Sequence, residues 1–271
     1  MARSVVVTGA SSGIGLASAV RLARAGWRVY GGVRTDGDAG AAREQGIEPV
    51  VLDVTDGPQI AAAAEAVGPE LHGLVDNAGI SIAAPLELVP LDELRRQLEV
   101  NVVGQVAVLQ AFLPALRRAH GRVVLMGSIG GRSALPFLGP YAASKHALEA
   151  LADVLRVELA PWGIAVSIVE PASVRTAIWT KGAAQADVMR EGISREADEL
   201  YAARIERFKA VALKRGPGID PDVVAKAVEH ALSAARPKAR YLVGRDAHIR
   251  AWIERLPTRL RDRVLAKALT G

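Results

Sequence analysis

Short runs of β-branched and aliphatic residues alternate with longer amphipathic patterns along most of the 271 residues. Short apolar runs bounded by turn residues predict buried strands, whereas apolar positions three or four residues apart predict helices. The predicted strands cover residues 4–7, 28–33, 49–52, 71–75, 121–126, 164–169 and 240–243. Regular alternation of the two elements predicts an α/β fold, with a single doubly wound parallel sheet of about seven strands and helices on both faces.

The predicted helices follow the strands without a linker or repeat that would mark a second domain. They begin near residue 14 and then cover residues 58–67, 91–119, 141–160, 195–210 and 221–235. Asp56 is the expected cap of the second of these helices, and Pro58 lies in its first turn. We therefore expect one domain over residues 1–271, with an insertion at about 172–213 and a basic helical tail at about 246–271. Long insertions between core elements often cover substrates, and we expect this one to be a lid.

The first strand leads into a glycine-rich turn at residues 8–15 and then into a helical pattern. This context favours a phosphate-binding turn. Glycines adopt strained dihedrals there and bring backbone N–H groups at a helix N-terminus close to a pyrophosphate. The spacing of the three glycines is slightly longer than in the commonest dinucleotide motif. Two serines inside the turn, Ser11 and Ser12, add hydroxyl donors. The alternative is an ordinary glycine-rich turn between a strand and a helix.

The end of the second strand carries the residues that separate NADP binding from NAD binding. An arginine there accommodates the 2′-phosphate of NADP, whereas an acid binds the ribose hydroxyl of NAD. Arg34 follows the strand at once, and a guanidinium forms charge-assisted forked bonds with phosphate. Asp36 and Asp38 are the rival candidates, but they lie in a glycine-rich loop where turn formation explains them equally well. We therefore favour NADP(H) over NAD(H).

Further polar residues follow the strands at the edge where open α/β sheets bind ligands. Asp53 after the third strand is placed to reach an adenine amino group, or simply closes the strand. The Asn77–Gly79 turn after the fourth strand either belongs to this site or is a turn that needs small residues. Asn101 interrupts a long predicted helix between two valines, although a polar residue on an exposed face is the alternative. Ser128 follows the fifth strand, and Met126 occupies the first glycine position that a hydrolase elbow requires.

Tyr141 and Lys145 are four residues apart in an apolar helical pattern. Their side chains therefore share one helix face, about 5–6 Å apart at Cβ. A cation beside a phenol favours the phenolate and lowers its pKa towards the working range of an acid/base catalyst. The same spacing also occurs by chance in surface pairs. The glycine turn, Asn101 and Ser128 upstream make this pair a candidate catalytic centre.

Composition excludes several classes of function. The chain has no cysteine, which excludes disulfides, thiolate catalysis and cysteine-based metal sites. Its five histidines form no His-x-x-x-His pair, so no metal is expected. No apolar run approaches the roughly 18 residues of a membrane span and no signal-peptide core is present, so we expect a cytoplasmic protein. The net charge is +5, but residues 236–267 alone carry +7. A nucleic-acid partner would depend on that tail alone and is not expected.

In their order and spacing, these motifs resemble the short-chain dehydrogenase/reductase superfamily in its compact form, which has a Rossmann-type fold. The resemblance covers residues 8–243 and includes six motifs: Thr8-Gly-Ala-Ser-Ser-Gly-Ile-Gly15, Asp53-Val54, Asn77-Ala-Gly79, Asn101-Val-Val-Gly104, Ser128 and Tyr141-Ala-Ala-Ser-Lys145. Within the family the chain is most similar to the hydroxysteroid and retinol dehydrogenase-like branch. The family usually has Pro-Gly after the sixth strand. Here Pro171 is followed by alanine, so the loop departs from the family pattern.

The resemblance implies an NADP(H)-dependent oxidoreductase. Tyr141 would protonate a carbonyl oxygen or deprotonate an alcohol, Lys145 would bind the nicotinamide ribose and lower the Tyr141 pKa, and Ser128 would hold the substrate oxygen. Asn101 would hold a water that links Lys145 to solvent. The cofactor-binding residues implied are Gly9, Ser11, Ser12, Gly13, Ile14, Gly15, Arg34, Asp53, Val54, Asn77, Ala78, Gly79, Tyr141, Lys145, Pro171, Val174 and Thr176.

The expected substrate is a small apolar alcohol or ketone, such as a steroid, a retinoid or a fatty carbonyl compound. The expected pocket, around residues 130–138 and the insertion, contains Leu135, Pro136, Phe137 and Trp179, which indicates apolar contacts. The alternative function is a non-catalytic NAD(P)-sensing or scaffold protein on the same fold. A sensor would not need the serine, tyrosine and lysine of the candidate catalytic centre.

The family resemblance also implies a homodimer or homotetramer, formed through the helices near 91–119 and 141–160. The amphipathic, basic tail is a candidate for peripheral contact with a membrane surface. We favour the alternative, a tail that packs on the domain or on a partner subunit, because Pro257 interrupts its apolar pattern.

Overall fold

The computed structural model describes residues 2–191, 194–214 and 218–270. Within these residues, seven parallel strands form one sheet in the order β3-β2-β1-β4-β5-β6-β7. The strands are β1 (Ser4–Val7), β2 (Arg28–Val33), β3 (Glu48–Val51), β4 (Gly73–Asp76), β5 (Arg122–Met126), β6 (Ala165–Pro171) and β7 (Arg240–Val243). The predicted fold class is confirmed. Because the strand order reverses between β1 and β4, a crevice for ligands opens at the carboxyl ends of these two strands.

Helices cover both faces of the sheet. They are α1 (Gly13–Arg24), α2 (Asp36–Glu44), α3 (Gly57–Val67), α4 (Leu91–Leu98), α5 (Gly104–Ala119), α6 (Gly139–Glu158), α7 (Ala177–Glu191), α8 (Arg195–Lys214), α9 (Pro221–Ser233), α10 (Arg245–Ile253) and α11 (Thr258–Thr270). The predicted cap of α3 is confirmed, since the Asp56 side chain accepts a bond from the backbone of Gln59 at 3.0 Å.

The sheet separates two hydrophobic cores because successive residues of a strand point to opposite faces. On β1, Val6 packs into the core that contains side chains of α3, α5 and α6. Its neighbours Val5 and Val7 pack into the opposite core with side chains of α1, α2 and α9. All three valines are fully buried, which explains why the strand sequence is apolar at every position.

The chain after β2 differs from the prediction. Asp36 and Asp38 do not lie in a loop but in the first turn of α2, which was not predicted. The Thr35 hydroxyl accepts a bond from the Asp38 backbone at 3.2 Å and donates to its carboxylate at 2.9 Å. Acids in a first helical turn are favoured by the helix dipole, which offsets part of the low helix propensity of Gly37 and Gly40.

The long helix predicted over 91–119 is interrupted at residues 99–103, where one π-helical turn joins α4 to α5. Asn101 lies in this turn and is fully buried, so the alternative of an exposed polar residue is wrong. Length and composition alone would allow residues 91–119 to cross a membrane, contrary to the expectation from sequence. Part of this apolar surface is core, however, and Val108, Phe112 and Leu116 are buried against the sheet.

The insertion between β6 and α9 contains α7 and the predicted α8. Gly182 of α7 packs so closely that an added Cβ would lie 2.7 Å from the Ser81 carbonyl oxygen after β4. On α8, Phe208 makes an edge contact with Phe137 at a centroid distance of 5.5 Å. Both helices therefore cover the carboxyl edge of the sheet. Residues 192–193 of the predicted insertion lie outside the described residues, as do Met1 and Gly271 at the ends of the predicted domain.

Candidate active site

Thr8 joins two of the predicted turns at the crevice. Its hydroxyl donates to the Asp76 carboxylate at 3.1 Å and accepts bonds from the backbone N–H groups of Asn77 and Ala78 at 2.8 and 2.9 Å. The Asn77 side chain donates in turn to the Thr8 carbonyl oxygen at 2.9 Å. The glycine turn and the Asn77–Gly79 turn therefore form one connected unit.

The glycine turn fits this unit because it lacks side chains where the backbones approach. A Cβ on Gly15 would lie 2.1 Å from the Gly9 carbonyl oxygen and 2.6 Å from the Asn77 amide nitrogen. Gly9 and Gly13 have positive φ angles of 63° and 57°, which favour glycine. Ser12 precedes α1 without a side-chain cap, and the first turn of α1 has no acid. The unpaired N–H groups of this helix end therefore suit an anionic ligand.

Arg34 and Asp53 lie at the ends of neighbouring strands on the same edge of the sheet. The Arg34 side chain is exposed. Burial would raise the pKa of Asp53, but hydrogen bonds from Thr55 and the charge of Arg34 bring it below its usual value. The Asp53 carboxylate accepts bonds from the Thr55 backbone at 2.9 Å and hydroxyl at 2.7 Å. The two predicted nucleotide-binding residues are thus electrostatic neighbours.

The predicted catalytic side chains come together at the carboxyl ends of β4 and β5. Tyr141 and Lys145 share one face of α6, with the Lys145 nitrogen 5.8 Å from the centre of the Tyr141 ring. The Ser128 side chain lies close enough to Tyr141 to influence the pKa of its phenol. Ser128 is fixed in turn by a bond from the Gly130 backbone to its hydroxyl at 3.0 Å. A Cβ on Gly130 would lie 3.3 Å from the Tyr141 ring, so this glycine allows the ring its position.

The expected lowering of the Tyr141 pKa by Lys145 is wrong for this structure. Burial raises the pKa of Tyr141 above its ordinary value, and the opposing influences are the Ser128 side chain and the charge of Arg250. Lys145 is itself buried and donates to the Met126 carbonyl oxygen at 2.7 Å. Desolvation of the phenol therefore outweighs its attraction to nearby cations, and the protonated form is favoured.

Asp76 is an electrostatic partner of Lys145 that was not predicted from the sequence. Burial lowers the Lys145 pKa to about 8, and the charge of Asp76 opposes this change. Burial likewise raises the Asp76 pKa to about 8, opposed by its bond from Thr8 and by the charge of Lys145. Asp76 was missed as a site residue because nothing in the sequence separates it from the other residues of its turn.

The expected role of Asn101 in holding a water stays a prediction, and its side chain bonds to other parts of the protein. Its carbonyl oxygen accepts a bond from the Ile80 backbone at 2.8 Å. Its amide group donates to the Ile80 carbonyl oxygen at 3.0 Å and to the Ser144 hydroxyl at 3.1 Å. The amide is therefore committed to holding the loop after β4 against α6, next to the Tyr141 and Lys145 face.

A cavity of about 1120 Å³ opens above Tyr141 and Ser128. Its lining includes the predicted residues Leu135, Phe137 and Trp179, although the predicted Pro136 is not among them. The Trp179 ring makes an edge contact with the Tyr141 ring at a centroid distance of 5.7 Å. Arg250 also lines this cavity, and sequence reasoning missed it because the basic tail offered no signal that one of its arginines turns inwards.

The predicted residues after β6 lie at the same edge. Pro171 ends β6, and buried Val174 forms a single bridge with Ile219. Thr176 faces the glycine turn, since its methyl carbon would lie 3.0 Å from a Cβ on Gly13. The carboxyl ends of the central strands thus bring the glycine turn, the Asn77–Gly79 turn and the Tyr141 centre onto one edge.

Comparison with known proteins identifies the family. The family model described as short chain dehydrogenase matches residues 3–187. The chain belongs to the short-chain dehydrogenase family. This dehydrogenase is 35% identical to the NADPH-dependent 3-dehydrocapnine reductase of Ornithobacterium rhinotracheale, over 98% of this chain and 97% of the relative.

A human relative and a solved structure agree with this assignment. Human 17-beta-hydroxysteroid dehydrogenase type 1 is 39% identical over 89% of this chain and 77% of the relative, which confirms the predicted branch. A short chain dehydrogenase from Burkholderia cenocepacia, solved in complex with NADP, has a TM-score of 0.76 and 27% identity, covering 100% of this chain and 98% of that one. This dehydrogenase is therefore an oxidoreductase of the family.

The residues of this dehydrogenase fit a dinucleotide. The turn at residues 8–15 leads into α1, whose first turn has no acid. Arg34 follows β2, and its charge lowers the pKa of Asp53. Any side chain at Gly15 would fill the space that brings the two turns together. The anionic phosphates of a dinucleotide suit such a combination of N–H groups and positive charge.

Proposed function

We propose that this dehydrogenase is an NADP(H)-dependent oxidoreductase that transfers hydride between nicotinamide and an apolar alcohol or ketone of the steroid, retinoid or fatty-carbonyl type. The observation that carries the proposal is the position of Tyr141 and Ser128 on the floor of a cavity lined mainly by apolar side chains. A buried phenol next to a hydroxyl, in a pocket lined mainly by apolar side chains, is suited to proton transfer to a bound carbonyl oxygen.

The preference for NADP(H) has two supports. Arg34 is exposed directly after β2, where the 2′-phosphate of NADP binds in this type of fold. The rival acid Asp38 is already engaged with Thr35 at the start of α2. The relative from Ornithobacterium is named as NADPH-dependent, which agrees with the proposal. Gly9, Gly13 and the N-terminus of α1 would hold the pyrophosphate.

In carbonyl reduction, a bound NADPH would supply the hydride that the carbonyl carbon receives. Tyr141 donates its phenolic proton to the carbonyl oxygen, and Ser128 donates a hydrogen bond to the same oxygen. The C=O bond becomes CH–OH, and the tyrosinate recovers its proton from solvent. Because burial raises the Tyr141 pKa, the phenol is protonated at neutral pH, the state that reduction requires. The charge of Arg250, which favours the ionised phenol, stabilises the tyrosinate formed in this step.

Substitution of Tyr141 by phenylalanine tests the proposal. Tyr141→Phe is expected to reduce turnover of a hydrophobic ketone by about 10²–10⁴-fold, because the proton donor is lost. The NADPH dissociation constant, measured by quenching of protein fluorescence, is expected to change little. Tyr201→Phe is the matched control, since Tyr201 lies on α8, outside the cavity, and bonds to Glu87. Full turnover by Tyr141→Phe would refute the proposed role. Failure of the native enzyme to oxidise NADPH with any carbonyl compound would favour the sensor function.

We also propose a homodimer or homotetramer formed through α5 and α6. Val154 and Val157 on α6 have 50% and 75% of their surface exposed, and Val103 beside α5 has 52% exposed. Exposed aliphatic residues grouped on long helices favour contact with a second copy. Light scattering after size exclusion measures the assembly. Val157→Glu should shift the molar mass towards that of the monomer. An unchanged mass would contradict an interface through this face of α6.

The proposed location is the cytoplasm, with the tail packed on protein rather than on a membrane. Ala247 of α10 is fully buried, which anchors this helix to the domain. Trp252 on the same helix is 62% exposed and is the best candidate for a lipid contact. Sedimentation with anionic liposomes at low salt separates the two interpretations. If the native protein sedimented with the liposomes and Trp252→Ser abolished this binding, a membrane contact of the tail would be favoured.

A further inference from the structure

Asp76 and Lys145 meet at the carboxyl ends of two neighbouring strands. Asp76 is the last residue of β4, and its register partner on β5 is Leu125. Lys145 donates to the carbonyl oxygen of the next β5 residue, Met126, at 2.7 Å. Neighbouring strands of a sheet are only about 4.8 Å apart, so the acid begins beside the position where the lysine side chain ends.

Both side chains lie on the same face of the sheet. Leu74, two residues before Asp76, packs into the core with α3, α5 and α6, whereas Val75 packs into the opposite core. Because side chains alternate along a strand, the Asp76 carboxyl points to the side of α6. Lys145 belongs to α6, and Leu148 one turn further on packs into the same core. The backbone geometry therefore brings this acid and this amine together.

The Asp76 carboxyl is buried with only part of its hydrogen-bonding capacity used. Asp76 is 0% exposed and Lys145 is 4% exposed. The Oδ1 atom of Asp76 accepts the bond from the Thr8 hydroxyl at 3.1 Å, whereas its buried Oδ2 atom has no hydrogen-bond partner among the described residues. An ionised carboxyl in such a place is costly unless a cation compensates it. The ionised state of Asp76 therefore depends on the positive charge of Lys145.

The other charged groups on this side of the sheet have partners of their own. Glu149 of α6 pairs with Arg240 at 3.1 Å, and Glu170 at the end of β6 pairs with Arg132 at 2.5 Å.

The remaining polar neighbours of the pair are neutral. Thr8 of the glycine turn and Gln105 of α5 bond to the end of β4 and to the turn that follows it. The Tyr141 ring lies 5.8 Å from the Lys145 nitrogen, but burial raises the pKa of its phenol above the ordinary value of 10. Asp76 is thus the acid that can respond to Lys145 near neutral pH.

The protonation states of the two groups are linked. Burial raises the pKa of Asp76 and lowers the pKa of Lys145, each to about 8, and the charge of the partner opposes the change in both cases. When Asp76 ionises as the pH rises, its negative charge favours the ammonium form of Lys145. Loss of a proton from the acid therefore delays loss of a proton from the amine.

We propose that Asp76 is a positioning residue of the active site, whose buried carboxylate keeps Lys145 in the ammonium form. It acts through Lys145, the residue expected to hold the nicotinamide ribose, and not by contact with the substrate. An ammonium has three N–H donors and Met126 accepts from one of them, so the retained proton preserves a donor and a positive charge for the cofactor. This inference rests on the proposed oxidoreductase function and adds a residue to the same site.

Nuclear magnetic resonance of the protein without cofactor tests the link directly. The probes are the Lys145 ε carbon and the Asp76 carboxyl carbon, labelled with ¹³C and assigned through the backbone. In the native protein we expect the two groups to titrate as a coupled pair near pH 8, with each signal responding to ionisation of the other. In Asp76→Asn, the Lys145 pKa should fall by at least about one unit, because an opposite charge is lost.

Two results would overturn the proposal. One is a native Lys145 signal that does not respond when Asp76 ionises, and the other is an unchanged Lys145 pKa in Asp76→Asn. The first result requires no variant, so it decides the question even if Asp76→Asn does not fold.

Asp56→Asn is the matched control. It removes the same charge, and Asp56 caps α3 outside the cavity that contains Tyr141. Asparagine caps a helix as well as aspartate does, so the fold should be preserved. The Lys145 pKa should keep its native value in this variant, which separates a local effect from a change in net charge.

The pH dependence of 2-decanone reduction with NADPH connects this link to catalysis. The ratio of kcat/KM in Asp76→Asn to that in the native enzyme should fall about tenfold between about pH 6 and about pH 9, because the variant loses the ammonium at lower pH. A purely structural role of Asp76 would lower the ratio equally at every pH, and that result would overturn the proposal while leaving the oxidoreductase function intact. Absence of all carbonyl reduction by the native enzyme, with coupled titration of Asp76 and Lys145, would instead refute the proposed function alone.

Discussion

Gly15→Ala tests how the glycine turn and the Asn77–Gly79 turn are joined. The added methyl group would lie 2.1 Å from the Gly9 carbonyl oxygen and 2.6 Å from the Asn77 side-chain nitrogen. The first neighbour is backbone, so it cannot rotate away as a flexible side chain would. Carbon and oxygen need more than 3 Å of separation, and the turn must therefore open by about 1 Å.

The expected magnitude follows from this displacement. Overpacking a close contact costs about 1–3 kcal/mol, and loss of the Asn77 bond to Thr8 adds about 1 kcal/mol. A shift of about 1 Å in a ligand-holding turn also lowers turnover by roughly 10²-fold. We therefore expect Gly15→Ala to lose about 2–4 kcal/mol of unfolding free energy and to bind NADPH at least about tenfold more weakly.

Urea unfolding and NADPH titration measure the two effects. Gly40→Ala is the matched control, because Gly40 lies in α2 with no neighbour within 4 Å of an added Cβ. There, alanine should stabilise the protein by about 0.5–1 kcal/mol through helix propensity. If Gly15→Ala matched Gly40→Ala in stability and kept native NADPH affinity, the two turns would not be packed as described.

Three further substitutions test other parts of the structure. Arg34→Ala should raise KM for NADPH by about 10–100-fold and leave KM for NADH nearly unchanged in steady-state kinetics, because only NADPH has the 2′-phosphate; an equal effect on both would remove Arg34 from cofactor selection. Asn101→Ala should lower the unfolding free energy by about 1–3 kcal/mol in urea titrations, since the partly buried backbone groups of Ile80 lose their partner; unchanged stability would mean that water replaces the amide. Burial raises the Glu170 pKa from 4.5 to about 7, so the folded state binds more protons between these values and loses stability as pH rises through them. Between pH 4.5 and pH 8, the unfolding free energy of Glu170→Gln should therefore rise by up to about 3 kcal/mol relative to that of the native protein. A parallel pH dependence of the two proteins would contradict the raised pKa of Glu170.

The sequence predicts the features of this dehydrogenase that depend on local periodicity. Apolar runs of four to six residues predicted strands close to their observed positions, because buried parallel strands tolerate few polar side chains. The shared face of Tyr141 and Lys145 follows from helix geometry alone, and the structure brings the two side chains together. The approach of the glycine turn to the Asn77–Gly79 turn follows from the adjacency of β1 and β4 in a sheet of this order.

Features that depend on distant contacts or on burial were not predictable. The Asn101 amide bonds to Ile80 and Ser144, and no local pattern encodes such partners. The direction of the Tyr141 pKa shift depends on how much water the surrounding elements exclude, which spacing does not reveal. Arg250 looks like any other arginine of the tail until α10 is packed on the sheet.

The Thr8 hydroxyl gives the nucleotide crevice a built-in reporter. The amide protons of Asn77 and Ala78 both point at this buried oxygen rather than at a strand or helix partner. They can exchange with deuterium only when the ends of β1 and β4 separate, so their exchange rates measure the opening of the crevice itself. Mass spectrometry of the peptide that contains them would follow crevice opening in the protein alone, and slower exchange on adding NADPH would show how strongly the dinucleotide closes the two halves of the sheet.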